Sequence, residues 1–298
     1  YKINTSQGIY ILQEINQLVF NEPKLALENI KRVSSWLKEH EFNYAFPTPI
    51  HYTYKFFFDK LWRLLPYINA TSYNEIKNKK MVSNATVCIA DFYRVLDQFP
   101  VQDLHVTIPH FHHGQHYIDE FHKALNHCSS ERKTQATQEI NHIKFALEEL
   151  AYFDEVVSQL PNRVVHFDTK ISNFLFDEDF NVKALIDLDT LMPGSILSDV
   201  GDMIRTYSNK LGEESTDFDR IKADPETVET IVDSILQHTQ LTDLEKNHLF
   251  FAGKAITLMQ SIRFLTDFLK GDVYYAINHP FHNLNRAKNQ FILYDSMN

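Results

Sequence analysis

Over residues 1–68 the chain carries short apolar runs and alternations bounded by turn residues. From about Ser83 onward, apolar positions recur at helical spacing instead. Residues 1–15 predict a β-hairpin: Tyr1-Lys2-Ile3, a turn across Asn4-Thr5-Ser6-Gln7-Gly8, then Ile9-Tyr10-Ile11-Leu12. Asn21-Glu22-Pro23 predicts a helix start, because a proline in the first turn lacks only an N–H that no helix uses there. Leu25, Ile30, Val33 and Leu37 carry that helix to about His40 along one face. Extended segments follow around residues 50–58 and 61–68. Residues 1–68 thus read as a small mixed lobe.

Helical patterns then cover 84–98, 111–128, 135–159, 198–210, 225–239, 241–270 and 281–296. Only residues 163–190 interrupt them. That stretch has β-like runs at Arg163-Val164-Val165, Phe174-Leu175-Phe176 and Lys183-Ala184-Leu185-Ile186, with a turn over 177–181. Residues 69–298 therefore read as a larger, mainly helical lobe. The whole chain contains 7 glycines, too few for a flexible linker, so the crossing between lobes is placed around residues 66–69. No internal repeat is visible.

Composition narrows the function classes. The chain has 298 residues, 44% hydrophobic and 23% charged, which is ordinary for a globular protein able to bury a full core. No apolar run reaches membrane-spanning length, so no membrane partner is expected. A net charge of −10, from 39 acidic against 29 basic residues, argues against nucleic acid as the main partner. The two cysteines, Cys88 and Cys128, each lie in a helix-like segment and read as structural thiols in a reducing cytoplasm. The start at Tyr1 has neither an initiator Met nor a signal pattern and is expected to continue from an upstream segment.

The chemistry is concentrated in His166-Phe167-Asp168-Thr169-Lys170-Ile171-Ser172-Asn173 and in Ile186-Asp187-Leu188-Asp189. Phosphoryl transfer needs an acceptor oxygen aimed in line, an offset for phosphate charge, and one or two divalent ions. Asp168 suits the first task, because a carboxylate beside the acceptor hydroxyl can orient it and take its proton. Asn173, five positions on, offers a neutral oxygen. Asp187, 19 positions after Asp168 (187 − 168), offers a charged one at the end of a separate apolar run. Lys170 can reach the transferring phosphate. His166 reads as a loop brace, and Asp189 reads equally as a second metal ligand or a brace. Tyr67 and Ile68, at the crossing, are the candidate nucleotide-binding positions.

At these residues the chain resembles the aminoglycoside phosphotransferase and choline kinase superfamily, and within it the N-acetylhexosamine 1-kinase type. Further resembling segments are Tyr10-Ile11-Leu12-Gln13 with Ile15-Asn16 and Val19-Phe20; Pro193-Gly194-Ser195 with Asp199, Gly201-Asp202 and Arg205; Arg263-Phe264-Leu265-Thr266-Asp267; Gly271-Asp272-Val273-Tyr274; and His282-Asn283-Leu284 with Arg286 and Gln290-Phe291. The resemblance implies an α+β, bilobal protein-kinase-like fold whose small lobe is incomplete at its start. It implies ATP and Mg2+ as cofactors, Asp168 as catalytic base, Asn173 and Asp187 as magnesium ligands, and Arg263 and Tyr274 facing a small-molecule sugar. A monomer or weak homo-oligomer is expected. Asp202 and Arg205, one helical turn apart, read as an ion pair bracing the metal loop or as groups near the substrate.

The chain departs from the family pattern at Gln13-Glu14, the strand place that usually carries a phosphate-anchoring Lys or Arg. Glu28, on the first helix, stands where kinase-like folds place a helix carboxylate but, lacking an obvious basic partner, reads as merely solvated. The alternatives are therefore another acceptor (a different sugar, an aminoglycoside or an amino alcohol) or a binding protein that keeps the fold without turnover. His105, His110, His112, His113 and His116 lie close together, but Pro109 interrupts any metal-ligand spacing. The 23 Phe and 14 Tyr read as core. The acidic run around residues 212–219 reads as a solvated loop.

Overall fold

The computed structural model describes residues 1–16, 22–57 and 60–298, with only the backbone described over 51–57. Val19, Phe20, Asn21 and Phe58 lie outside the described residues. The chain packs as two compact units. One comprises Tyr1–Pro109, Asn162–Ser195 and Ser234–Gln240, and the other His110–Pro161, Ile196–Asp233 and Leu241–Asn298.

In the first unit, β1 (Lys2–Thr5) and β2 (Gly8–Ile15) form the expected hairpin, with Thr5 opposite Gly8. Helix α1 (Pro23–Glu39) opens on its proline and buries Ala26, Leu27, Ile30, Val33 and Leu37, while Leu25 is only half-buried. Strands β3 (His51–Phe57) and β4 (Lys60–Pro66) complete an antiparallel sheet in the order β1-β2-β4-β3. In that sheet Gln13 lies directly opposite Arg63. Two-residue β5 (Thr71–Ser72) precedes α2 (Lys79–Val95). Helix α2 starts earlier than its apolar periodicity predicts, because the Asn78 side chain accepts the Met81 N–H and caps it.

The β-like interruption of the helical pattern also belongs to this unit. Strands β6 (Arg163–Val165) and β7 (Phe174–Phe176) lie where the short apolar runs predict them, and β8 (Val182–Leu185) is offset by one residue from the predicted run. β9 (Met192–Gly194) is not legible in the sequence, since a Met-Pro-Gly triplet has no strand signature. It pairs with β6, and β5-β7-β8 form a second small sheet.

The second unit is helical: α3 (Gly114–His127), α4 (Ser130–Gln135), α5 (Thr137–Ser158), α6 (Ile196–Ser208), α7 (Pro225–His238, its end counted with the first unit), α8 (Asp243–Lys270) and α9 (His282–Asp295). Helix α3 begins later than predicted, because His110 and His112 take positive φ and His113 caps the helix with its side chain. Helix α8 is the packing centre and touches α3, α5, α6 and α9. A capping box of Thr242 and Glu245 starts it, and Gly271 at φ +98° ends it.

The seam between α6 and α8 explains one of the glycines in the resembling segments. A Cβ on Gly201 would stand 2.6 Å from the Ala252 carbonyl oxygen, and one on Gly253 would stand 2.4 Å from Ile204 Cγ2. The helices approach through these two hydrogen-only positions. Gly201→Ala should therefore force them apart and lower stability by about 1–3 kcal/mol, read as a fall in Tm. An unchanged Tm would refute this spacing.

Among the described residues, no helix is long and apolar enough to cross a membrane. Cys88 is buried in α2, with its thiol pKa pushed up by burial, and Cys128 is a free thiol at the end of α3.

Candidate active site

Asp168 and Asp187 are brought together by a lattice of hydrogen bonds between two loops of the first unit. After β6 the chain turns sharply, with Phe167 at φ +67°. The ring of Phe167 lies on β9, where a Cβ on Gly194 would come within 2.4 Å of it. His166 is fully buried. Its Nδ1 accepts the Asp168 N–H at 3.3 Å, so the ring proton sits on Nε2 and is donated to the Ile186 carbonyl at 2.9 Å. One imidazole thus ties the loop of Asp168 to the loop of Asp187, the bracing role its position suggests.

Further bonds complete the lattice. Thr190 Oγ1 donates to the His166 carbonyl, and Asn173 Nδ2 donates to the Asp168 carbonyl at 2.8 Å. Two main-chain bonds join them. The Ile186 N–H donates to the Asn173 carbonyl at 2.9 Å, and the Asn173 N–H donates to the Lys170 carbonyl at 3.0 Å, closing the short turn that carries Asn173.

Asp187 itself sits in the left-handed region at φ 61°, which a short carboxylate side chain tolerates better than most. Its carboxyl pKa is raised, first by partial burial and then by the nearby carboxylates of Asp168 and Asp189. Those influences outweigh the opposing one of Lys170. Lys170 Nζ lies 2.8 Å from Asp168 Oδ2, so in this structure it pairs with the candidate base. Asp189 accepts both arms of the buried Arg63 guanidinium.

Asn173 Nδ2 is engaged with the Asp168 carbonyl, which leaves its amide oxygen for another partner. Asn173 and Asp187 line one pocket of about 510 Å³ with Tyr67, Ile68, Gln13 and Arg63. All four candidate metal and nucleotide positions therefore share one cavity. The donor set fits magnesium, which takes oxygen ligands and keeps several waters and phosphate oxygens rather than a full protein cage. An ion there would also offset the burial and the carboxylate repulsion that together raise Asp187. Among the described residues no group of three or more His, Cys, Asp or Glu forms a cage of its own.

Several side chains in this unit have partners that the sequence does not reveal. Glu28 is not merely solvated: its carboxylate lies 3.0 Å from His105 Nε2. Glu14 pairs with Lys60 at 2.9 Å. Gln13 accepts from Arg63, a residue that sequence reasoning misses. The available signal is a charge on the inward face of an otherwise apolar strand, between Leu61 and Leu65. Asn29, buried on α1, is also missed. It donates to the carbonyls of His105 and Leu191 and accepts the His105 N–H, which ties α1 to the end of the Asp187 loop.

The second unit holds Arg263 and Tyr274. The Arg263 guanidinium lies 5.3, 5.5 and 5.7 Å from the ring centres of Phe111, Tyr117 and Tyr275, and donates to Gln260 at 2.9 Å. Among the described residues its neighbours are aromatic faces and amides rather than a carboxylate. His112 is half-buried nearby, and desolvation of its ring, with Arg263 and Arg205 adding, holds its pKa well below the ordinary value, so the ring is neutral. Tyr274 is half exposed and meets Tyr275 edge to face at 4.8 Å.

The buried carboxylate of Asp267 shapes the loop that carries both tyrosines. It accepts the N–H groups of Val273, Tyr274 and Tyr275 at 2.9–3.0 Å, and Asn283 Nδ2 at 2.9 Å. Asn283 also donates to Asp272, which Arg132 grips at 2.7 Å. Segments that stand apart in the sequence, 263–267, 271–274 and 282–284, thus converge on one loop.

Arg205 binds Asp202 at 2.8 Å, Glu213 at 2.9 Å and Gln290 at 3.2 Å. Glu214 accepts from Arg286 and contacts His282. The acidic stretch around 212–219 is therefore tied down at Glu213 and Glu214, contrary to the solvated loop expected. The clustered histidines serve local roles as well: His113 caps α3, and His110 stacks on His116.

The family model described as "Phosphotransferase enzyme family" matches residues 1–224. Solved structures share the architecture at low identity. An aminoglycoside phosphotransferase from Alicyclobacillus acidocaldarius aligns with a TM-score of 0.64 at 13% identity, covering 99% of this chain and 88% of that one. An amicoumacin kinase, solved in complex with AMP-PNP, Ca2+ and Ami, aligns at 0.59 and 14% identity, covering 98% and 84%. An ethanolamine kinase from Plasmodium vivax aligns at 0.53 and 16% identity, covering 94% and 75%. The fold is accordingly the kinase-like α+β fold, with a small sheet-bearing lobe and a helical lobe. With three-quarters of its length under the family match, the chain belongs to the phosphotransferase enzyme family.

Proposed function

We propose that this protein is an ATP- and magnesium-dependent kinase that phosphorylates the anomeric hydroxyl of an N-acetylhexosamine. Family membership supplies the reaction class, a phosphotransferase acting on a small molecule. The observation that carries the acceptor is the surroundings of Arg263. Its aromatic box resembles those that take quaternary ammonium ligands, but here the protein's own guanidinium fills it. A fixed cation repels amine acceptors and favours a neutral group rich in oxygen, such as an acetamido carbonyl or a sugar hydroxyl.

In this reading Asp168 orients the acceptor hydroxyl and takes its proton, and Lys170, released from Asp168, offsets phosphate charge. Asn173 and Asp187 hold the ion, and Tyr67 and Ile68 line the nucleotide's place in the pocket. Arg263 and Tyr274 contact the sugar. Magnesium, when bound with the nucleotide, would neutralise the phosphates and fix their orientation.

An acceptor panel tests the assignment. With ATP and magnesium, N-acetylglucosamine or N-acetylgalactosamine should be consumed, with product phosphate on C1 by phosphorus NMR. Choline, ethanolamine and aminoglycosides should show kcat/KM lower by about 10²-fold or more. Preference for any amine acceptor would overturn the reading of Arg263.

A further inference from the structure

Arg63 is the charged residue on the buried face of β4, and its side chain is 3% exposed. Nη1 and Nη2 grip the two oxygens of Asp189, while Nε and Nη2 donate to Gln13 Oε1 at 3.0 and 2.8 Å. Arg63 and Gln13 both face the pocket that Asn173 and Asp187 line. We propose that Arg63 is a positioning residue for the metal loop: its two-pronged hold on Asp189, steadied by Gln13, fixes the turn that presents Asp187 to a magnesium nucleotide. The inference rests on the kinase reading above.

Three observations support it. Asp189 lies two residues after Asp187 within one short 3-10 turn, Leu188–Thr190, so anchoring one fixes the other. Asp187 enters that turn with a positive φ, a conformation that persists only when its surroundings hold it. Other points of the same stretch are already pinned, with Thr190 bonded to His166 and Leu191 to Asn29, and Arg63 pins the point between them and Asp187.

The geometry also separates this role from direct phosphate binding. The guanidinium spends its fork on a carboxylate and an amide, an arrangement that a lysine's single point charge cannot reproduce. The neutral Gln13 stands on the strand where a basic residue is expected, and the cation is supplied directly across the strand pair from β4. A charge on β4 thereby does for the metal loop what its linear place in the sequence gives no hint of.

The test measures ADP binding by calorimetry across a magnesium titration and without metal, for wild type, Arg63→Lys and Asp189→Asn. Both variants should raise the magnesium concentration for half-maximal binding by about 10-fold or more, with metal-free ADP affinity unchanged. Unchanged magnesium dependence in a folded variant overturns the proposal. Loss of metal-free ADP binding in Arg63→Lys also overturns it, by making Arg63 a phosphate ligand. If Arg63→Lys fails to fold, Gln13→Leu, which leaves the ion pair in place, should shift the magnesium dependence in the same direction, and no shift there counts against the proposal. Wild type that shows no magnesium-dependent ADP binding overturns the kinase reading and this inference together. Wild type that binds, with variants that match it, overturns this inference alone.

Discussion

Asp168→Asn is expected to lower turnover by about 10²- to 10⁴-fold, while magnesium-nucleotide binding and Tm stay close to wild type. The amide keeps the shape and a hydrogen-bonding oxygen but cannot take the acceptor's proton. The backbone of residue 168 is held independently of its side chain: its N–H goes to His166 and its carbonyl receives Asn173. The loop should therefore survive the change. Among the described residues, the side-chain bond altered is the pair with Lys170, which is partly exposed, and an ion pair of that kind contributes little to stability; the repulsion on Asp187 is also eased. Steady-state kinetics on the best acceptor, with Tm and ADP binding on the same preparation, separates the outcomes. Turnover within a few-fold of wild type would mean that proton removal is not the task of this carboxylate.

Asp187→Asn should produce the second large loss, about 10²-fold or more in turnover, with a different signature. Nucleotide binding should lose its dependence on magnesium, which Asp168→Asn should retain. Stability should move the opposite way from activity. Folding raises the Asp187 pKa, through partial burial and the neighbouring carboxylates of Asp168 and Asp189. A carboxylate whose folded pKa lies above its unfolded value opposes folding when ionised, and that opposition fades as pH falls through the folded pKa. Replacing it with a neutral amide removes the opposition, so metal-free Tm at neutral pH should be higher in Asp187→Asn than in wild type. A lower metal-free Tm, with magnesium dependence intact, would contradict both the electrostatic account and the metal assignment.

The site is legible in the sequence to the extent that its parts are local. Asp168, Asn173 and Asp187 are picked out as candidates by spacing within about 20 residues, and the strands beside them stand out as short apolar runs among helical patterns. What stays hidden depends on partners far apart in the chain. Arg63 meets Asp189 across 126 positions, Asn29 meets Leu191 across 162, and Arg286 meets Glu214 across 72. Linear patterns do not encode those pairings. The start of α2 is hard to place because its cap, Asn78, precedes the apolar stripe, and the short β9 escapes because strand pairing, not composition, makes it a strand. The segments behind the hexosamine reading are visible one by one in the sequence, but their convergence on Asp267 exists only in three dimensions.

On the proposed reading, in which Arg263 and Tyr274 contact the acceptor, that convergence bears on how it is met. The main chain of residues 273–275 is fixed by the buried Asp267 carboxylate, with Asn283 behind it. The conformational entropy of that loop is therefore surrendered during folding, when α8 and α9 come together, and not again at each encounter with ligand. Association then has mainly the ligand's own rigid-body freedom and desolvation to overcome, which favours fast exchange of small, weakly held molecules over slow capture by a closing flap.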